Sequence, residues 1–157
     1  MTGGIFTHLL IAALSCALAF AAFTDLRSRI IENWLNAGIA LAAPLFWWAS
    51  DYALWPDVAI QIALALAVFA LFGGLFAMGG MGGGDVKLIG ALALWLPLQP
   101  LVLMLVVMAM AGGVLTILMA ALHKIRKSRE KLEIPYGVAI AFGGLWVVAE
   151  PYFNHFA

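Results

Sequence analysis

Two aspartates, Asp25 and Asp85, are the residues whose type and setting could do chemistry in a chain that otherwise reads as made for lipid. Asp85 lies in the run Gly79-Gly80-Met81-Gly82-Gly83-Gly84-Asp85-Val86-Lys87-Leu88. Gly82, Gly83 and Gly84 leave the backbone ahead of this acid without side chains, so a peptide can approach it closely. Asp25 begins the first polar break, Thr24 to Asn36, together with Arg27, Arg29, Glu32 and Asn33. Carboxylates in or beside a membrane are costly and are functional candidates for that reason. Brought together, two of them share one proton and titrate as a unit. The ionised member then takes a proton from water while the other gives one to a substrate carbonyl.

Each acid also has a purely structural reading. Asp25 could pair with Arg27 or Arg29 at a helix end, and Asp85 could be the N-cap of the helix that follows it. Lys87 reads as an interfacial anchor, and Arg27 and Arg29 as topology determinants that meet lipid phosphates. A P-loop needs Gly-Lys followed by Ser or Thr, whereas Asp85 and Val86 precede Lys87 here. A dinucleotide fingerprint fails on its third glycine and on the missing strand. His8, His123 and His155 share no metal-site spacing, and Cys16 is the one cysteine, so neither an internal disulfide nor a zinc site is expected.

The elements that must position these acids follow from composition. Of 157 residues, 66% are hydrophobic and 10% charged, against about 25% charged in soluble domains, and mean hydropathy is +1.08. The chain is expected to be one all-α, polytopic membrane domain over residues 1–157. Stretches near the roughly 20 residues that span a bilayer predict six helices at about 5–23, 34–49, 58–78, 86–96, 101–122 and 135–149. The absence of Lys or Arg before Arg27 argues against a cleaved signal peptide at the start. Net charge is zero, so nucleic acid is not an expected partner; membrane lipid is. The pairs Gly73-Gly74, Gly112-Gly113 and Gly143-Gly144 read as close helix contacts.

If the six helices alternate, all eight Lys and Arg fall on one side: Arg27, Arg29, Lys87, Lys124, Arg126, Lys127, Arg129 and Lys131. The positive-inside rule makes that side cytoplasmic and both termini external. It is also the side of Asp25 and Asp85. The fourth helix, at about 1.5 Å per residue, reaches only about half of a roughly 30 Å hydrocarbon core. The glycine stretch is therefore expected to dip into the membrane, with Asp85 below the cytoplasmic surface.

Three motifs in this order resemble the type IV prepilin peptidases, GxGD-type aspartyl proteases of the bacterial cytoplasmic (inner) membrane. They are Asp25-Leu26-Arg27-Ser28-Arg29-Ile30-Ile31-Glu32-Asn33, the Gly82 to Leu92 stretch, and Ile134-Pro135-Tyr136-Gly137-Val138-Ala139-Ile140. The resemblance implies that Asp25 and Asp85 are the catalytic pair; Gly82, Gly83, Gly84 and Lys87 are expected to form the loop a substrate approaches, and no metal or other cofactor is expected. It implies a prepilin precursor as substrate, cut on the cytoplasmic side just before its hydrophobic helix. Glu32 stands where the family usually has proline. The paired cysteines of larger members have no counterpart, so the chain is similar to the short peptidases of tight-adherence (Flp) pilus systems, and methylation of the new N-terminus is not implied. A small channel or carrier, or an inactive pilus-assembly partner with the same fold, is the alternative. Oligomeric state is not legible.

Overall fold

The apolar opening stretch forms one long helix. In the computed structural model, which describes residues 2–126 and 134–153, α1 runs over Thr2–Ser28, followed by α2 (Asn33–Ala49), α3 (Ala59–Ala77), α4 (Gly83–Ala93), α5 (Leu98–Arg126) and α6 (Tyr136–Phe153). A short wide turn, Leu54–Val58, leads into α3. The described residues contain no strand. Three helical stretches among them, Gly4–Ser28, Leu54–Ala77 and Leu98–Ile125, are long and apolar enough to cross a membrane. Large apolar side chains such as Leu41, Leu66 and Ile117 stay exposed, as the outer surface of a protein in lipid requires.

α1 buries a stripe at helical spacing, Leu14, Leu18 and Ala21, and Asp25 is the next position on that stripe. Its burial is thus a consequence of which face α1 packs. The break expected at residue 24 comes later: Thr24 and Ser28 bond back to the carbonyls of Ala21 and Thr24, and only residues 29–32 lie between α1 and α2.

α4 is the core of the bundle. It packs against α2, α3 and α6, and Asp85, Val86 and Leu88 through Ala93 are all buried. A helix that is apolar almost all round belongs inside. It begins earlier than expected, at Gly83, because Gly82 takes the N-cap position with extended backbone; Asp85 is therefore not the cap but the third helical residue. Its carboxyl end stops among side chains that satisfy the orphan carbonyls. Buried Gln61 of α3 donates from Nε2 to the carbonyls of Ala93 at 2.7 Å and Leu96 at 2.6 Å. The Trp47 indole donates to the Leu94 carbonyl at 2.8 Å, and that of Trp95 reaches the Ile39 carbonyl at 2.9 Å.

α6 lies between α1 and α5. A Cβ on Gly143 would sit 2.8 Å from the Met104 carbonyl oxygen and one on Gly144 2.9 Å from Leu18, so those two glycines make the close contacts expected of them, as Gly112 does more loosely against Tyr136 and Ala139. Gly73, Gly74 and Gly113 do not: nothing lies within 4 Å of the position a Cβ would take, because they face away from the bundle. The expected turn 97–100 shortens as well, with Pro100 inside the first turn of α5, where a missing amide costs nothing. α5 also continues past residue 122, to Arg126, and α6 past residue 149, to Phe153. Much of the basic segment 123–133, with Lys127, Arg129 and Lys131, and the tail with His155 lie outside the described residues.

Candidate active site

Asp25 sits on the last turn of α1 and Asp85 on the first turn of α4, 5% and 9% exposed. Both line one cavity of about 580 Å³, walled also by the glycine turn 79–84, by Arg29, Ile30 and Ile31, and by Ile134 and Tyr136. They are near enough for the charge of Asp25 to act on Asp85. Two acids that the sequence separates widely are thus held in one polar pocket at the end of an apolar bundle.

Each acid has its carboxyl group packed against a glycine, so that a Cβ there would require the carboxyl to move. A Cβ on Gly137 would be 2.8 Å from Asp25 Oδ2 and 2.7 Å from the Ile31 side chain. The bare glycine lets the first turn of α6 close on the carboxylate, and the Val138 amide donates to Oδ2 at 3.3 Å. A helix N-terminus presents unpaired amides and a partial positive charge to an anion, which offsets the position of Asp25 near the unfavourable carboxyl end of its own helix. On the other side, a Cβ on Gly82 would be 2.9 Å from Asp85 Oδ2, and one on Gly84 would be 3.2 Å from Ile31. Ile31 therefore touches both halves of the site.

Gly82, Gly83 and Gly84 all border the cavity with the two acids. Lys87 does not. Two residues along a helix turn through about 200°, so Lys87 leaves α4 on the opposite side from Asp85. Its ammonium donates to Asn33 Oδ1 at 2.8 Å and borders a separate apolar groove of about 430 Å³ between α2 and α3, floored by Gly90 and Ala91.

Three contributors escaped the sequence reading. Asn36 is 4% exposed and donates from Nδ2 to the Gly84 carbonyl at 3.2 Å, tying α2 to the residue before Asp85. Its signal was a carboxamide next to the apolar stripe Leu35, Ile39, Ala43 and Trp47 of α2. Gly137 and Tyr136 lie within a quoted motif, but only the packing of α6 gives them their place. No three His, Cys, Asp or Glu come together as a metal site among the described residues.

Chemically, the cavity offers a pair of coupled carboxyl groups, open to water, beside a backbone that admits a peptide. That arrangement suits attack of water on an amide carbonyl. No curated protein and no solved structure matches the chain. The model of the type IV leader peptidase family matches residues 12–117, a span that carries both aspartates and the glycine turn. With a match over more than half of its length, on a stretch that supplies both acids and most of the wall of this cavity, the chain belongs to the type IV leader peptidase family.

Proposed function

We propose that the protein is an aspartyl endopeptidase of the bacterial inner membrane that removes the leader of an Flp-like type IV prepilin at the cytoplasmic face. The observation that carries this reading is the shared cavity: Asp25 and Asp85 border one polar space, each with its carboxyl group packed closely against a glycine. The ionised carboxylate accepts a proton from water as the oxygen attacks the scissile carbonyl carbon. The protonated carboxyl gives its proton to the carbonyl oxygen, forming a tetrahedral diol. Collapse breaks the C–N bond, with a proton passing to the departing amine nitrogen. One water is consumed, and the pair returns to a single shared proton.

The one-sided distribution of Lys and Arg supports a cytoplasmic site and external termini. The length of α4, about 16 Å at 1.5 Å per residue, supports a reaction centre sunk below the cytoplasmic surface. Water then reaches it through the polar cavity rather than through lipid.

Asp25→Asn and Asp85→Asn test the assignment. Each is expected to abolish cleavage of a co-expressed prepilin, a loss on the order of 10³-fold or more, while the variant still inserts in the membrane. Retained cleavage in either variant would refute the catalytic pair. Cation flux through reconstituted wild-type protein that cleaves nothing would point to a carrier instead.

A further inference from the structure

We propose that Arg29 is a substrate-contacting residue of this cavity, whose guanidinium holds main-chain carbonyl oxygens of the bound peptide. The inference rests on the peptidase reading of the same site.

Arg29 stops α1. It adopts the left-handed conformation, with φ 56°, and its amide donates to the Asp25 carbonyl at 3.0 Å, the bond that closes a helix in the αL motif. Two other helices also end on a left-handed residue, with types suited to that backbone: α3 at Gly79, φ 75°, and α2 at Asp51, φ 57°. Glycine has no penalty there, and Asp and Asn are several-fold enriched; a long side chain such as Arg is not. A strained residue of the wrong type beside a reaction centre points to use of its side chain.

The side chain is available for such use. Arg29 is exposed at the rim of the cavity that holds Asp25 and Asp85. Among the described residues its guanidinium makes no direct hydrogen bond or ion pair, although its charge acts on Asp25 across the cavity. It is the one cation among the described residues that borders this space: Arg27 does not line it, and Lys87 faces the groove between α2 and α3. The rest of the wall is glycine backbone, Ile30, Ile31, Met81, Ile134 and Tyr136, which offers an incoming peptide few side-chain donors. A planar fork of five N–H groups can meet two carbonyl oxygens at once. Anchored one turn from Asp25, that fork would fix how far the peptide slides past the acids.

The test compares full-length Arg29→Gly, Arg29→Asn and Arg29→Lys with Asp51→Gly, a matched helix end far from the cavity, in vesicles with a prepilin precursor. Relief of the left-handed strain is expected to raise the melting temperature of Arg29→Gly by about 2 °C or more. The same variant and Arg29→Asn are expected to raise KM about tenfold or more with kcat within about threefold. Arg29→Lys should recover part of that loss by restoring a cation. Asp51→Gly should leave KM unchanged. An unchanged KM in Arg29→Gly and Arg29→Asn would make Arg29 a helix terminator only and overturn the proposal. So would a loss confined to kcat, or a lysine variant no better than glycine. Failure of the wild-type protein to cleave at all would instead count against the peptidase reading itself.

Discussion

The bundle has two ends that stop their helices by related turns, and they treat polar groups in opposite ways. At the end holding Asp51, α2 closes with paired bonds from the Asp51 amide to the Trp48 carbonyl and from the Tyr52 amide to the Trp47 carbonyl. Asp57 accepts from the Ala53 amide, Gln61 serves two carbonyls, and Trp47 serves a third. Burial, and then the nearby Asp57 carboxylate, push the Tyr52 phenol up from its ordinary pKa, so it stays neutral and bulky. At the end holding Asp25, α3 closes by the same pair of bonds, at Gly79 and Gly80, but the acids and Arg29 face an open cavity. Among the described residues, each end keeps one buried oxygen without a partner, Ser50 Oγ and Asn36 Oδ1. The contrast is therefore in the charged groups. One end commits Gln61, Trp47 and Asp57 to main-chain groups at helix ends, whereas the other brings two buried carboxyl groups and an arginine to one cavity.

The strongest way to break this contrast is at Gly137. A methyl group there would press on Asp25 Oδ2, and a displacement of about 1 Å at a reaction centre costs on the order of 10²-fold. Gly137→Ala is therefore expected to lose about that much kcat while its circular dichroism spectrum and membrane insertion are retained. A fully active variant would show that the contact of α6 with Asp25 does not matter to the chemistry.

Gln61→Leu probes the other end. It strands two buried carbonyls, and each unsatisfied group costs about 1–3 kcal/mol, so denaturant or heat should unfold it at least about 2 kcal/mol more easily. Cleavage per folded molecule at low temperature should match wild type. Loss of activity in the fully folded variant would mean that the two ends are coupled through α4.

The smallest expected effect sharpens the contrast within the aspartate end. Lys87→Gln alters an exposed residue on the far side of α4 from Asp85, so cleavage should change by about twofold or less, with stability within about 0.5 kcal/mol. A large loss, read in the same assay, would bring the groove between α2 and α3 into the reaction.

Much of this was legible because membrane helices announce themselves by length and hydropathy. α2 begins one residue before its expected start and ends where expected, and Asp25 and Asp85, singled out by motif, share a cavity. What was hidden depended on helix starts and on packing. Beginning α4 at Gly83 rather than residue 86 changes which element carries the glycines and makes Asp85 a helical residue instead of a cap. Lys87 was grouped with Asp85 by proximity along the chain, and helical rotation separates them. The role of Gln61 was hidden because its acceptors are carbonyls at and just beyond the far end of another helix. Arg29 read as a topology charge, since nothing in a sequence gives the sign of φ.

The bond from the Val138 amide to Asp25 joins residues 113 positions apart, and it has a consequence for the order of events during synthesis. Both acids have left the ribosome long before residue 138 does, so the nascent chain carries its reactive groups for much of translation without the helix that closes over one of them. Until α6 docks, Asp25 lacks its amide donor and the cavity lacks the wall formed by Tyr136, so the pocket around the two acids is completed only after residue 138 has been made.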